Sequence, residues 1–111
     1  IALFVGTVRN STQNKEVTLL DFSGYEPMAI KEMQKIADLA LEKFDIHKIA
    51  IHHAVGELKI GAIPVIIAVS SAHRKAAFEA CEFAIDTLKE TVPIWKKEHF
   101  EDGEVWVNSH P

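Results

Sequence analysis

The sequence contains a single cysteine, Cys81, among 111 residues, so no disulfide can form within the chain and a reducing compartment is favoured. Long hydrophobic runs are absent too. The longest, residues 62–69, has the length of a strand, whereas a membrane helix needs roughly 20 apolar residues. An excess of basic residues is also missing, because the formal net charge is -4 and nucleic-acid binders are usually basic. We therefore expect a cytoplasmic protein with no nucleic-acid and no membrane partner.

Several familiar catalytic and metal motifs are missing as well. The sequence has no GxGxxG or P-loop, no GxSxG, and neither CxxC nor HExxH. His52 and His53 are adjacent on a predicted strand, so their side chains should point to opposite faces and make a poor chelating pair. Cys81 falls on the apolar stripe of a predicted helix and is interpreted as a core residue rather than a nucleophile. We expect no metal and no cofactor.

The size and composition indicate one globular domain. The chain is 48% hydrophobic and 25% charged, which is an ordinary globular balance. A chain of 111 residues suits a single core, so we assign residues 1–111 to one domain. The sequence opens inside an apolar run and stops at His110-Pro111. We expect residues to be missing from both ends.

The hydrophobic pattern predicts the order β-β-α-β-β-β-α-β-β. One helix opens at Glu26-Pro27 and ends at Asp45-Ile46, and the second runs from about Ala72 to Thr91 with Ser71 as its N-cap. Strands are predicted at residues 1–8, 17–25, 47–55, 58–60, 63–71, 94–100 and 104–107, with a loop at 9–16 and a turn at 56–57. Short connections between strands favour antiparallel pairing, which predicts an α+β fold with two main helices.

Each predicted helix has one face that should be buried. Apolar residues recur at the three-and-four spacing of an amphipathic helix in both. The residues predicted to face the core are Met33, Ile36, Ala37, Ala40, Leu41 and Phe44 in the first helix, and Ala77, Phe78, Cys81, Ala84, Ile85 and Leu88 in the second.

Positively charged residues at the start of the second helix suggest an anion site. His73 and Arg74 fall in its predicted first turn, where free N–H groups and the helix dipole attract phosphate. Arg74 adds a bidentate donor. Acidic residues would be favoured there without a ligand, so the cationic pair indicates one. Lys89, at the other end, suits the dipole with no ligand, and Lys96 can simply pair with Glu98, so for these two lysines both readings stay open.

The length of the second helix constrains any site that uses both ends. Arg74 and Lys89 are fifteen residues apart, about 22 Å along a helix axis. A small ligand cannot touch both in one chain. If both serve one site, that site combines His73 and Arg74 of one subunit with Lys89 and Lys96 of another.

Six segments resemble the large, catalytic subunit of molybdopterin synthase, in the same order and over nearly the whole chain. The sequences AHR at residues 72–74 and PIWKKE at 93–98 are highly specific. The matching segments are residues 4–9, 26–29, 55–58, 69–74, 77–78 and 92–98. The sequence departs from the family at Phe22-Ser23, Ala54 and Gly61-Ala62, which affects details of the sheet edge and the partner interface rather than the reaction.

The resemblance implies an α/β-hammerhead fold and a homodimer of large subunits within a heterotetramer. A small ubiquitin-like sulfur-carrier subunit would bind at each end, with a Gly-Gly tail that carries a thiocarboxylate. The family converts a cyclic pyranopterin monophosphate to molybdopterin by two sulfur transfers. Carried over by motif, the catalytic residues are Lys89 and Lys96, and the substrate-binding residues are Arg9, His73, Arg74, Lys97 and Glu98.

Two other functions fit the residues alone. A non-catalytic dimeric module that binds a phosphorylated small molecule would also use His73 and Arg74. A scaffold could bind a ubiquitin-like partner without chemistry. Lys89 and Lys96 discriminate between the catalytic function and the phosphate-binding module. A simple phosphate binder needs neither lysine at the place where a partner's tail enters.

Overall fold

The computed structural model describes side chains and backbone at residues 1–8 and 26–92, and backbone at residues 11–12, 15–24, 94–100 and 103–108. Two helices and eight strands are seen within these ranges. The helices are α1 (Glu26–Lys43) and α2 (Arg74–Thr91). The strands are β1 (Ala2–Val5), β2 (Ser11–Thr12), β3 (Lys15–Gly24), β4 (Lys48–His53), β5 (Gly56–Lys59), β6 (Val65–Ser70), β7 (Ile94–Phe100) and β8 (Gly103–Asn108).

The first sheet has three strands in the order β1-β6-β4. β6 lies in the centre, as its continuous apolar sequence predicts, and both of its pairings are antiparallel. Gly6, just after β1, approaches β6 closely, and its N–H donates to the carbonyl of Val65 at 3.0 Å. A Cβ on Gly6 would lie 2.8 Å from Val65 Cγ1. The glycine thus allows a close backbone approach.

The second sheet has the order β2-β3-β7-β8, and β5 also pairs with β3. Every described pairing in it is antiparallel, which confirms the predicted α+β class. Two local predictions were wrong. Residues 9–16 are not all loop, because β2 pairs with the start of β3, which satisfies the backbone groups of both strands there. Residues 56–57 belong to β5, because pairing with β3 satisfies their backbone.

Both helices contribute to one hydrophobic core with the first sheet. α1 packs against β4 and α2, and α2 packs against β6 and β1. The largest fully buried side chains are Ile36, Val69, Ile67 and Leu88. Alanines let α2 approach the sheet closely, since Ala77, Ala80 and Ala84 are at most 1% exposed.

The predicted buried stripes are confirmed at their centres and wrong at their edges. Phe78 is 61% exposed and Leu41 is 46% exposed, although the helical period assigned both to the core. The buried face of α2 is centred on its alanines, so a residue at the margin of the stripe remains in solvent. No helix in the described part of the chain is long and apolar enough to cross a membrane.

Candidate functional site

The start of α2 places two cationic side chains beside the backbone N–H groups of its first turn, which have no hydrogen-bond partner within the helix. His73 is the N-cap, with extended φ and ψ of -124° and 139°, and within the described residues its side chain makes no capping hydrogen bond. Ser71 was predicted to be the N-cap, and this was wrong: its hydroxyl donates to the carbonyl of His73 instead. The helix begins at Arg74, two residues after the predicted start at Ala72. Both His73 and Arg74 are exposed, and the first-turn N–H groups can donate hydrogen bonds to an anion.

A groove of about 300 Å³ lies beside His73, between the end of α1 and the start of α2. It mixes cationic and anionic side chains over an aromatic base. The lining residues are Lys43, Phe44, Asp45, His73, Lys75, Ala76 and Glu79. A second groove of about 270 Å³ shares Phe44 and Glu79 with it and continues along α2. Arg74 lines neither groove, so it points to a different flank of α2 from the one that faces α1.

Aromatic contacts fix the α1 flank of α2. The rings of Phe44 and Phe83 are 5.6 Å apart between centroids, and Lys43 Nζ lies 4.7 Å from the Phe83 centroid. Sequence reasoning missed Lys43 and Asp45 as neighbours of His73. The amphipathic pattern of α1 places them at a polar helix end, and only the packing of α1 on α2 brings them to the groove.

Lys89 lies in the last turn of α2 and is half-buried, as expected from its position beside the core. Its neighbour Leu88 is 2% exposed. α2 is continuous from Arg74 to Thr91, so Arg74 and Lys89 are held about 22 Å apart along the axis. The predicted separation of the two cationic groups within one chain is therefore confirmed.

Three further predicted site residues lie in the second sheet. Lys96, Lys97 and Glu98 are consecutive positions of β7, opposite Phe22, Asp21 and Leu20 of β3 respectively. β7 follows α2 after a short connection, which links Lys96 to the Lys89 end of the helix rather than to the Arg74 end. Arg9 lies outside the described residues.

The histidines of β4 are structural neighbours rather than a chelating pair. His52 is exposed and His53 is half-buried, consistent with opposite faces of the strand. Burial lowers the pKa of His53 below its usual 6.5, and the adjacent His52 lowers that pKa further. The Nδ1 of His53 donates to the carbonyl of Ala54 at 2.6 Å, which acts in the opposite direction. Within the described ranges, no group of three or more His, Cys, Asp or Glu residues could hold a metal ion.

Cys81 is a core residue, as predicted. It is 6% exposed, and its Sγ lies 3.7 Å from the carbonyl oxygen of Ala2 and 3.9 Å from that of Ile67. Burial raises the pKa of the thiol, which disfavours the reactive thiolate. The cysteine therefore contributes to packing between α2 and the first sheet.

A family model and individual known sequences both match this chain, and they indicate the same family. The family model described as "MoaE protein" matches residues 1–91. Proteins named molybdopterin synthase catalytic subunit are 50% identical over 107 residues in Bacillus subtilis and 47% identical over 106 residues in Homo sapiens. These matches cover 96% of this chain in both cases, but 68% of the bacterial protein and 56% of the human protein. The chain thus spans between about half and two thirds of the length of these relatives.

Solved structures show the same architecture. Molybdopterin synthase from Staphylococcus aureus superposes with a TM-score of 0.92 at 45% identity, covering 96% of this chain and 78% of that chain. A protein–protein complex of subunits 1 and 2 of molybdopterin-converting factor from Helicobacter pylori superposes with a TM-score of 0.78 at 25% identity. It covers 98% of this chain and 71% of that chain.

Proposed function

The chain belongs to the MoaE family, and from this premise we propose that it is the catalytic subunit of a molybdopterin synthase. Its substrate would be a cyclic pyranopterin monophosphate, converted to molybdopterin by two sulfur transfers. The sulfur would come from the thiocarboxylated Gly-Gly tail of a small ubiquitin-like subunit. The reaction belongs to the sulfurtransferase class, and the single, buried Cys81 suits a cytoplasmic setting.

The observation that carries this proposal is the placement of cations at both ends of one rigid helix in an acidic protein. His73 and Arg74 stand beside the free N–H groups at the start of α2, and Lys89 stands half-buried at its end. The substrate carries a phosphate and the tail ends in an anionic sulfur. Each anion needs its own cationic group, and the helix supplies one at each end.

Each sulfur transfer replaces a carbon–oxygen bond of the pterin side chain with a carbon–sulfur bond. The carbon–sulfur bond of the tail breaks, and its acyl carbon takes an oxygen from water and leaves as an ordinary carboxylate. Negative charge develops on sulfur and on the acyl oxygen during this exchange. Lys89 is the group best placed to activate the tail, because a half-buried ammonium is worth more to a neighbouring anion than one in bulk water. We assign Lys96 to stabilise the charge that develops on transfer. Lys97, Glu98 and Arg9 complete the proposed substrate contacts.

The same helix geometry supports a homodimer with shared sites. A ligand of pterin size cannot reach Arg74 and Lys89 of one chain across about 22 Å. A second copy would bring its own His73 and Arg74 to the Lys89 end of the first. With one small subunit at each site, the assembly is a heterotetramer. The complex of two different subunits in the H. pylori relative supports the small-subunit partner.

A non-catalytic phosphate-binding dimer is the second candidate. The groove beside His73, with Lys43 and Lys75 on its walls, would suit such a ligand by itself. This function requires neither Lys89 nor a thiocarboxylate. The two candidates therefore separate on whether the bound phosphate compound is chemically changed.

Reconstitution tests the proposed function directly. The chain is mixed with the pyranopterin and with a small subunit that ends in a thiocarboxylate, and the dithiolene product is measured after oxidation to a fluorescent derivative. The matched control uses the same small subunit with an ordinary C-terminal carboxylate. We expect product only with the thiocarboxylate. Binding of the pyranopterin without product in both reactions would support the phosphate-binding module instead.

A further inference from the structure

The connection between β6 and α2 consists of residues 71–73 and is held by a hydrogen bond at each end. At its start, the N–H of His47 donates to the carbonyl of Ser70 at 2.7 Å, which fixes the end of the strand. Across the connection, the hydroxyl of Ser71 donates to the carbonyl of His73 at 2.5 Å. The backbone of His73, where the helix starts, is therefore restrained by a side chain two residues earlier.

The hydroxyl of Ser71 acts here as a donor, whereas a capping serine acts as an acceptor. A carbonyl oxygen can only accept, so the hydroxyl proton is committed to His73. A serine that caps a helix accepts a hydrogen bond from an N–H of the first turn. The side chain of His73, the N-cap, makes no capping hydrogen bond to the described residues either. Neither side chain takes the N–H groups that an anion would use.

Three features of this helix start are unfavourable without an anion. The serine beside it does not cap it, and a histidine, which is not among the preferred capping residues, occupies the N-cap position. The first turn carries Arg74 and Lys75 and no acidic residue. An anion at this end would reverse the effect of all three, because it would accept from the N–H groups and pair with the cations.

We propose that Ser71 is a positioning residue for the phosphate site at the start of α2. Its hydroxyl holds the His73 carbonyl, so the first-turn N–H groups and the His73 imidazole are already ordered before the phosphate binds. This inference rests on the proposed function, because it takes the anion to be the phosphate of the pyranopterin. Prior ordering lowers the entropic cost of binding. Removing the hydroxyl should therefore weaken phosphate binding and leave the chemistry at the Lys89 end unchanged.

A phosphate titration followed by NMR tests this role without any sulfur transfer. Inorganic phosphate is added to the full chain, with chloride at equal ionic strength as the reference, and the amide signals of residues 74–76 are followed. Ser71→Ala is expected to raise the phosphate dissociation constant about threefold to tenfold, as for the loss of one hydrogen bond. Ser70→Ala removes a hydroxyl from the adjacent half-buried residue and should keep the wild-type value.

A second pair of variants separates the hydroxyl from the shape of the side chain. Ser71→Thr and Ser71→Val are similar in shape, but only threonine can donate to the His73 carbonyl. We expect wild-type phosphate affinity in Ser71→Thr and the weakened affinity of Ser71→Ala in Ser71→Val. Circular dichroism checks that each variant is folded. Equal affinities in these two variants would overturn the proposal, as would an equal loss in Ser70→Ala or the absence of phosphate-dependent shifts in the wild type.

Steady-state kinetics then distinguish this role from the proposed function itself. Ser71→Ala should raise KM for the pyranopterin by the same about threefold to tenfold, with kcat unchanged, because only binding is affected. A lower kcat with an unchanged KM would overturn the positioning role. Dithiolene formation by the wild type with wild-type KM in Ser71→Ala would overturn the positioning role alone. Weaker phosphate binding in Ser71→Ala, with no dithiolene product from the wild type, would support the role of Ser71 and overturn the proposed function.

Discussion

Arg74 and Lys89 lie on the same flank of one unbroken helix and cannot reach a common small ligand. α2 runs continuously from Arg74 to Thr91, so the rigid helix keeps these two cations about 22 Å apart along its axis. Neither end has the full set of charges that the proposed phosphorylated substrate and the proposed anionic tail require together. A shared site between two copies solves this without any bending of the helix.

Mixing two inactive variants tests whether the site is shared. Arg74→Ala and Lys89→Ala are each expected to be inactive alone, since each damages both sites of its dimer. In a mixed dimer, one site has lost both residues and the other retains both. With random assortment half of the dimers are mixed, so activity should return to about one quarter of the wild-type value.

The control for this experiment is a mixture of two variants that damage the same half-site. Arg74→Ala mixed with His73→Ala should give no recovery, because no combination of these chains restores an intact start of α2. Equal activity in the two mixtures, or none in the first mixture despite verified exchange of subunits, would mean that each site lies within one chain.

Lys89→Ala is expected to lower the rate of dithiolene formation at least about 100-fold while the fold and the small-subunit affinity remain. The reason is that Lys89 is half-buried at the proposed tail entrance, and alanine leaves the developing negative charge without a cation. Single-turnover product formation and calorimetric binding of the small subunit measure the two effects separately. Lys35→Ala, an exposed lysine on α1, is the matched control. Near-normal turnover in Lys89→Ala would remove this residue from the catalytic assignment.

Lys89→Arg separates two roles of the same side chain. Arginine keeps the positive charge but cannot act as a nucleophile or as a base near neutral pH. Substantial activity in Lys89→Arg would indicate electrostatic stabilisation, and a loss as large as that of alanine would indicate chemistry at the amine nitrogen.

Local sequence patterns were sufficient to predict the two helices, the central strand β6 and the cationic residues at the start of α2. Each of these depends on residues close together in the chain, such as the alternation of apolar positions or the charges in one helix turn. For Phe78 and Leu41, such patterns predicted burial wrongly. Both satisfy the helical period, but their burial depends on which neighbouring element covers that flank, and a period carries no such information.

The groove beside His73 could not be predicted from the sequence, for a related reason. Lys43 and Asp45 reach it from the end of α1, some thirty residues earlier in the chain. Only the packing of α1 on α2, fixed by Phe44 and Phe83, determines this proximity. The pairing of β2 with β3 was missed because the polar sequence of β2 resembles a loop.

The stability of the fold should depend on pH through His53. Burial lowers the pKa of His53 below 6.5 in the folded chain, so the unfolded chain binds the proton more readily. The stabilisation is complete above about pH 6.5 and is lost as pH falls from there through the lower folded pKa. We expect His53→Gln to show a smaller decrease in the free energy of unfolding between pH 7.5 and 5.5, measured by urea titration. An equal decrease in the wild type and in His53→Gln would contradict this assignment.

Gly6→Ala should destabilise the fold by about 1–3 kcal/mol through overpacking against β6. The new Cβ would lie 2.8 Å from Val65 Cγ1, and Val65 is both 8% exposed and β-branched, so its side chain has little freedom to move away. Urea denaturation of Gly6→Ala, Val65→Ala and the double variant measures the coupling between the two positions. Because Val65→Ala removes the clashing methyl group, Gly6→Ala should cost at least about 0.5 kcal/mol less in that background. An identical cost in both backgrounds would show that the close approach of Gly6 to β6 is not what requires a glycine at this position.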